Sequence, residues 1–377
     1  MTKLCVFPND PLRSYFEKGE IKERYFNPNN LFDKIHVISF CNEDIEEEKV
    51  SIVAGDAKLI IHPVGSVNLK NMKERAKEVI KIVSKISPDV IRTYDPLIQG
   101  WIATKCSNEL DIPIVVSLHG EYDQFRNMVK KQNFKKYLKL VYTSKFIEPY
   151  VIKNANRVIC VYKVIIPYAK KKGATKIDLI YNRVDLTKFN EKVNTIKNEI
   201  PIIITVGRLI KQKNHEIILN AIKPLNVQLW IIGDGEDYGR LQKIIRKLNI
   251  GKKVIFKRSI PHLEMHHWYK KADIFVLAMR TDLESLPIPI LEAMASGLPV
   301  IIPKPKSPEL IDEMGDGVIR IENKPQFFTE AIEKILNNSD LHDKLTKKVL
   351  EDIQNFDGKI MEEKETELYK EVILAKK

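Results

Sequence analysis

The chain has 377 residues, of which 44% are hydrophobic and 30% are charged. This length exceeds what one hydrophobic core usually serves, and this composition excludes a disordered chain, so we expect two folded domains. The formal net charge of +12 favours anionic neighbours, which include phosphorylated small molecules, anionic membrane surfaces and nucleic acid, and does not choose among them.

Cysteine usage and hydrophobic runs indicate the compartment. The four cysteines are scattered without a C-x-x-C pair, which argues against a zinc framework or a disulfide scaffold and fits reduced thiols. The N-terminus lacks the apolar core of a signal peptide, and no stretch has the roughly 18 uninterrupted apolar residues of a membrane span. We therefore predict a cytoplasmic protein, and leave peripheral association with the inner face of the membrane open.

Short apolar runs alternate with longer amphipathic ones along the first half, which is typical of β-α-β units around a parallel sheet. Helical patterns over 67–87 and 97–110 are each followed by a proline-containing turn and a new apolar run, as a crossover connection requires. The predicted strands of this half are 4–7, 35–40, 57–61, 89–93, 113–118, 157–161 and 177–181.

A basic amphipathic stretch, 122–147, interrupts this alternation. Its only acid is Asp123, and aromatic and aliphatic residues lie between its cations. One interpretation is a segment that lies on anionic lipid. The other is an ordinary helix whose apolar side packs on the sheet. The sequence leaves both open. The cations are Arg126, Lys130, Lys131, Lys135, Lys136, Lys139 and Lys145.

The same alternation restarts after 182–199, a polar segment rich in Lys and Asn that fits a domain linker. Helices are predicted to begin near His215, Asp237, His262 and Pro289. The predicted strands are 200–206, 227–232, 253–256, 273–277, 299–302 and 318–321.

We therefore predict an α/β fold of two Rossmann-like doubly wound domains that face a cleft. The predicted boundaries are 1–190 for the first domain, 191–355 for the second and 356–377 for a terminal helical region. Ligands of open parallel sheets gather at the carboxyl ends of the strands, so the functional residues are expected in strand-to-helix loops.

Two cations follow the first strand of the second half. Gly207 lets the backbone approach a ligand closely, and Arg208 and Lys213 come after it. At the carboxyl end of a strand these cations suit a pyrophosphate that departs with extra negative charge. A pair of solvated charges would give the same pattern.

Two carboxylates border a later strand-to-helix loop. The helix is predicted to open near Pro289, whose missing N–H is tolerated in a first turn, and the remaining amides there form an anion site. Glu284 precedes this helix and Glu292 lies one turn inside it, so both can accept bonds from hydroxyls of one ligand. The spacing alone proves little, because Glu363 and Glu371 repeat it in a plain terminal helix.

Together these loops resemble glycosyltransferase family 4 (group 1), whose members have the GT-B fold and retain anomeric configuration. The resemblance covers nearly all of the C-terminal half in order. The stretches that carry it are 207–213, 233–235, 272–277, 284–292 and 291–300.

The resemblance implies a nucleotide-sugar donor, a UDP- or GDP-sugar, in the second domain, and no required metal. Arg208 and Lys213 would hold the diphosphate, Glu284 the transferred sugar and Glu292 the ribose. Pro287 has no N–H to give, and Ile260 would flank the base. The donor-binding set implied is Gly207, Arg208, Lys213, Ile260, Glu284, Ser285, Leu286, Pro287, Ile288 and Glu292.

The resemblance implies that the first domain binds the acceptor. In this domain His119 directly follows the predicted strand 113–118. The family has a His there that reaches the donor sugar, although a lone His is more often structural. The implied catalytic residues are His119, Glu284, Arg208 and Lys213. By analogy with the fold, the terminal region 356–377 would pack back on the first domain.

Four departures from the family concern mainly the acceptor. The stretch 7–11 stands where relatives have a Gly-rich turn, and Arg183 stands where Gly is commoner. Residues 285–287 read Ser-Leu-Pro instead of Gly-Phe-Gly, and 304–309 lacks a Gly pair. Acceptor identity is therefore open, and a glycan, a lipid-linked sugar or a small molecule would each fit.

Two other functions were weighed. An enzyme of the same architecture that epimerises or hydrolyses a nucleotide sugar is the first. A nucleic-acid binder, motivated by net charge alone, is the second, and because no nucleic-acid motif is present we predict no such partner. A metal site at His262, Glu264, His266 and His267 is disfavoured, since these residues fall on a predicted surface helix without a Cys or Asp partner.

Overall fold

Two parallel sheets organise the chain. The computed structural model describes residues 1–120, 122–189, 198–258, 260–280, 286–306 and 313–375, without the side chains of Lys131 and Gln132. The chain divides into an N-terminal unit, residues 1–181 with 360–377, and a C-terminal unit, residues 182–359.

The N-terminal unit is built on a seven-stranded sheet of order β3-β2-β1-β4-β5-β6-β7. Leu4 of β1 pairs with Ile35 of β2 and with Val90 of β4, and all pairs are parallel. The strand order therefore reverses between β1 and β4. The strands are β1 Lys3–Phe7, β2 Lys34–Ser39, β3 Lys58–Pro63, β4 Val90–Thr93, β5 Ile114–Leu118, β6 Arg157–Cys160 and β7 Ile177–Leu179.

Helices connect these strands and end where the sequence stops them. The second helix, α2, ends at Ser87, which has a left-handed φ of 49° just before Pro88. The helices of this part of the chain are α1 Leu12–Glu17, α2 Met72–Ile86, α3 Ile98–Leu110, α4 Tyr122–Gln132, α5 Phe134–Tyr142, α6 Glu148–Lys153 and α7 Ile166–Lys171, with a π-helical turn over Thr143–Ile147.

The C-terminal unit repeats the plan with a six-stranded sheet of order β10-β9-β8-β11-β12-β13. Its order reverses between β8 and β11, so these two strands mark the position where such sheets bind ligands. The strands are β8 Ile202–Val206, β9 Gln228–Ile232, β10 Val254–Lys257, β11 Ile274–Val276, β12 Val300–Pro303 and β13 Val318–Ile321.

The helices of the C-terminal unit enclose a core that contains Leu209, Leu229, Ile274 and Phe328. They are α8 Leu186–Phe189, α9 His215–Ala221, α10 Tyr238–Leu248, α11 Met265–Lys271, α12 Ile288–Ala295, α13 Pro325–Leu336 and α14 Ser339–Asp352.

The last helix, α15 (Gly358–Leu374), lies in the N-terminal unit from Ile360 onward. Its Glu365 forms an ion pair with Arg92 of β4 at 3.4 Å, and its Tyr369 ring meets the Phe32 ring edge-on at 5.2 Å. Both Glu365 and Tyr369 are buried. The C-terminal segment is therefore part of the N-terminal unit's core.

The predicted fold class is confirmed. Each predicted strand is present with ends that differ by no more than about two residues. The helix predicted over 67–87 begins later, at Met72. Asn68 and Asn71 cause the delay, because their side chains accept bonds from the backbone N–H groups of Lys70 and Asn68 and fix a turn there. Among the described residues no helix has the length and apolar character needed to cross a bilayer.

Candidate functional site

The loop that leaves β8 is packed against the loop that leaves β9. Gly207 has a φ of +146°, and its N–H donates to the Ile232 carbonyl at 2.9 Å. A Cβ on Gly233 would lie 2.1 Å from the Gly207 carbonyl oxygen. Only glycine at position 233 allows this approach, so the Gly-Asp-Gly stretch supports the loop of the two cations.

Lys213 lies at the end of that loop, in a 3₁₀ turn over Lys211–Lys213. Its side chain reaches back to Gly207, since a Cβ there would lie 3.6 Å from Lys213 Cε. Burial and then the nearby charge of Arg208 lower the pKa of Lys213 to about 8. Arg208 itself is exposed. The structure thus brings the two predicted cations together beside a glycine, in a place that an anion would stabilise.

The loop after β11 meets this cation loop. The N–H of Arg280 donates to the Gln212 carbonyl at 3.0 Å, and Asn323 Nδ2 donates to the Met279 carbonyl at 3.1 Å. The chain that follows β11 therefore lies beside the loop of Arg208 and Lys213, at the position where the strand order reverses. Glu284 and Ser285, predicted to bind the sugar and the donor, lie outside the described residues.

The helix α12 begins at Ile288 with Pro289 in its first turn, where the sequence predicted a helix start. Pro287 precedes it in extended conformation with φ −64° and ψ 134°, and its carbonyl accepts from the Ile290 N–H at 3.0 Å. Leu286 is buried and fixes the entry to the helix. The amide end of α12 therefore follows directly after Leu286 and Pro287.

Glu292 lies one turn inside α12 and is only 4% exposed. His262 Nε2 lies 2.7 Å from its Oε1, and the Tyr269 hydroxyl donates to its Oε2 at 2.9 Å. Burial and the Glu292 charge raise the pKa of Tyr269 well above its ordinary value, so the hydroxyl keeps its proton. Ile260, predicted to flank the base, is half-buried two residues before His262.

The predicted solvated helix near His262 is wrong in part. His262 contacts Glu292. His266 is buried, and its ring lies edge-on to the Phe189 ring at 6.3 Å. His267 is exposed, as expected. The described residues contain no group of three or more His, Cys, Asp or Glu side chains that could hold a metal ion.

His119 follows β5 in the N-terminal unit. Its Nε2 is buried without a hydrogen-bond partner in the described part of the chain, and its ring stacks on Tyr94 at 5.4 Å. Burial and then the positive charge of Arg92 lower the pKa of His119 to about 4. His119 is therefore a neutral imidazole at neutral pH.

Arg92 and Tyr94 are residues that the sequence reasoning missed. The Arg92 guanidinium lies 5.0 Å from the Tyr94 ring centre and 3.3 Å from the Tyr369 hydroxyl. Tyr94 in turn stacks on Tyr25 at 5.6 Å. An arginine inside an otherwise apolar strand was the available signal, because such a residue is almost never buried without partners.

Models of two protein families match the chain. The model described as glycosyl transferases group 1 matches residues 187–352, and the model described as glycosyltransferase family 4 matches residues 32–188. The two matches follow one another along the chain and together include every strand of the two sheets except β1.

Individual proteins are also similar. An uncharacterised glycosyltransferase of Methanocaldococcus jannaschii is 24% identical over 263 residues, which are 69% of either chain. The UDP-Gal:alpha-D-GlcNAc-diphosphoundecaprenol alpha-1,3-galactosyltransferase of Escherichia coli is 28% identical over 321 residues, 78% of this chain and 76% of that one. The structure of Anabaena Alr3699/HepE in complex with UDP superimposes with a TM-score of 0.74 at 15% identity, covering 98% of this chain and 100% of the other.

Proposed function

The chain belongs to the group 1 glycosyltransferases of family 4 and has their GT-B fold, and from this premise we propose that it transfers a sugar from a nucleotide-sugar donor with retention of configuration. The donor is a UDP- or GDP-sugar bound in the C-terminal unit. The observation that carries the proposal is the convergence of Arg208 and Lys213 with the loop after β11, joined by the Arg280–Gln212 hydrogen bond.

The names of similar proteins support a nucleotide donor. The E. coli relative is named for UDP-galactose, and the Anabaena structure contains UDP. The site of this chain fits such a ligand because two cations and a helix amide end can hold a diphosphate, while a buried carboxylate can accept bonds from ribose hydroxyls.

In the proposed reaction the acceptor hydroxyl attacks the anomeric carbon on the face from which the diphosphate departs. The new C–O bond forms as the bond from the anomeric carbon to the phosphate oxygen breaks, and the departing phosphate takes the acceptor proton. No side-chain nucleophile or metal is required. Arg208, Lys213 and the Ile288 amide at the start of α12 would stabilise the charge of the leaving group, which is commonly the largest contribution of such a site.

The remaining predicted residues have binding roles in this proposal. Glu284, Ser285, Leu286, Pro287 and Ile288 would contact the sugar and phosphates of the donor, and Gly207 would give the diphosphate access to the backbone. Ile260 flanks the base and Glu292 binds the ribose. His119 carries no charge at neutral pH, so it would contribute a hydrogen bond to the donor sugar rather than a proton.

We further propose a lipid-linked acceptor, reached from an anionic membrane surface through the segment 122–147. The helix α5 (Phe134–Tyr142) buries none of its residues. Phe134, Leu138, Val141 and Tyr142 share one helical face at i, i+4, i+7 and i+8 and are 61%, 53%, 37% and 49% exposed. The exposure of this apolar side argues against its packing on the sheet.

Cations surround this exposed face. Lys135, Lys136 and Lys139 are exposed on the same helix, and Lys145 follows it beside Phe146, itself 55% exposed. An apolar face between lysines is typical of helices that lie in the lipid headgroup layer, where each cation near an anionic surface contributes about 1 kcal/mol.

A buried ionic network fixes the base of this segment. Glu148 is fully buried; its Oε1 lies 2.7 Å from Arg126, and its Oε2 accepts from the Tyr168 hydroxyl at 2.6 Å. Lys172 lies 3.2 Å from the same carboxylate. These contacts attach both ends of the segment to the N-terminal unit, whereas α5 is exposed. Binding to a membrane would therefore require no unfolding.

Vesicle binding tests the membrane proposal. The chain is expected to sediment with vesicles that contain anionic lipid and not with neutral ones, and Phe134→Glu combined with Leu138→Glu should weaken this binding at least about tenfold. Phe16→Glu is the matched control, because Phe16 is 48% exposed outside the segment. Equal binding by the double variant and the control would refute the proposal.

Ligand-induced stabilisation tests the donor site. Nucleoside diphosphates that bind the folded chain raise its melting temperature. We expect UDP or GDP to do so, and expect Lys213→Ala to lose most of the shift because it removes one of the two diphosphate cations. Lys211→Ala, an exposed lysine two residues away, should keep the shift. No shift with any nucleoside diphosphate would contradict the proposed donor.

A further inference from the structure

Glu292 is held by two side chains from outside its own helix. His262 belongs to a 3₁₀ turn over His262–Glu264, and Tyr269 belongs to α11. Because an ionised carboxylate only accepts hydrogen bonds, the His262 Nε2 and the Tyr269 hydroxyl both act as donors, at 2.7 Å and 2.9 Å. Bonds of this kind to a charged acceptor are about twice as strong as neutral ones.

The two donors differ in their depth. Tyr269 is fully buried, whereas the His262 side chain is 25% exposed. The carboxylate is therefore held between an inner donor, which belongs to the core of the unit, and an outer donor at the edge of the site. Removing the outer donor is the smaller disturbance to folding, so His262 can be tested separately.

We propose that His262 is a positioning residue for the ribose-binding carboxylate, and that with Tyr269 it makes the donor site selective for ribonucleotides over nucleotides that lack the ribose hydroxyls. This inference rests on the proposed function, in which Glu292 binds the ribose. It adds a role for two residues that the catalytic scheme does not otherwise use.

The physical reason is pre-organisation. Each oxygen of a carboxylate can accept more than one hydrogen bond, so the bonds from His262 and Tyr269 do not prevent Glu292 from also accepting bonds from a diol. The two protein donors fix the rotation of the carboxylate group of Glu292, and the entropy of ordering it is spent on folding instead of on binding. Such a site disfavours ligands that lack the ribose hydroxyls, because the buried carboxylate of Glu292 then loses the hydrogen bonds that these hydroxyls would donate.

The experiment compares one nucleoside diphosphate, UDP or GDP, with its 2′,3′-dideoxy counterpart by calorimetry. In the native chain the dideoxy ligand should bind at least about tenfold more weakly. His262→Ala should weaken the ribonucleotide about tenfold and leave the dideoxy ligand nearly unchanged, because the coupling between His262 and the hydroxyls runs through Glu292. His262→Gln, whose amide can donate to Glu292, should recover part of the loss.

Controls keep the outcome decisive. His267→Ala alters an exposed histidine of the same helical region and should affect neither ligand. Tyr269→Phe should reproduce the selective loss if it folds, and melting temperatures of the free variants report folding. If His262→Ala weakens both ligands equally, or neither, the positioning role is wrong while the donor site stands. If neither ligand binds the native chain, the proposed function itself fails and the inference fails with it.

Discussion

At the scale of single residues, the cations Arg208 and Lys213 belong to one loop, whereas the carboxylate of Glu292 is contacted by side chains from distant parts of the chain. Arg208 and Lys213 follow a strand within one short loop, so their proximity could be inferred from local order. His262 and Tyr269 reach Glu292 from 30 and 23 residues away in the chain. Nothing in a single sequence reports that kind of proximity, because it depends on how α11 packs beside α12.

Lys213 should give donor binding a defined pH dependence. In the free protein its pKa is lowered to about 8, so it is protonated below that pH and neutral above it. In the proposed site the diphosphate binds the protonated form, so its affinity should fall by up to about tenfold for each pH unit above 8. Titrations between pH 7.5 and 9.5 avoid the second phosphate ionisation near pH 6.

The matched variant for this prediction is Lys213→Arg. A guanidinium keeps its charge throughout the range, so the affinity of this variant should stay nearly flat with pH even if it is lower overall. An equal decline in the native chain and in Lys213→Arg would show that another group is responsible.

At the scale of elements, the apolar runs located all strands of both sheets because a buried parallel strand is hydrophobic on both faces. The start of α2 was placed too early because a helical pattern cannot reveal the turn that Asn68 and Asn71 impose. Whether α5 is buried or exposed could not be predicted from the sequence either. Its amphipathic pattern is the same for a helix that packs on a sheet and for one that remains exposed, and only the structure distinguishes them.

Gly233 lies at the contact between the loops after β8 and β9, and we expect a substitution there to destabilise the protein. Gly233→Ala places a Cβ 2.1 Å from the Gly207 carbonyl oxygen, at a φ of +140° that L side chains rarely adopt. We expect it to lower the free energy of unfolding by at least about 2 kcal/mol and to weaken nucleotide binding, because the cation loop must move. Chemical denaturation and calorimetry measure the two effects.

Gly239 in α10 is the matched control. A Cβ there meets nothing within 4 Å, so Gly239→Ala should stabilise the chain by up to about 1 kcal/mol through helix propensity and leave binding unchanged. Destabilisation of the same size at both positions would contradict the account of the loop contact.

At the scale of the whole molecule, two domains that are each built on a parallel sheet could be predicted from the alternation of apolar and amphipathic runs. The family resemblance then added chemistry mainly to the second half, where its motifs occur in order. The acceptor could not be predicted, because the departures at 7–11 and 304–309 remove the glycines that relatives have there. In the N-terminal unit the sequence could not reveal the buried Arg92–Glu365 pair, whose members are far apart in the chain.

Product analysis after incubation with UDP- and GDP-sugars and a panel of lipid-linked and glycan acceptors tests the central claim most directly. Mass spectrometry would identify a glycoside and nuclear magnetic resonance its anomeric configuration. We predict a glycoside with the configuration of the donor and an equal amount of nucleoside diphosphate. Free or epimerised sugar without any glycoside, a glycoside of inverted configuration, or no consumption of any donor would contradict the account.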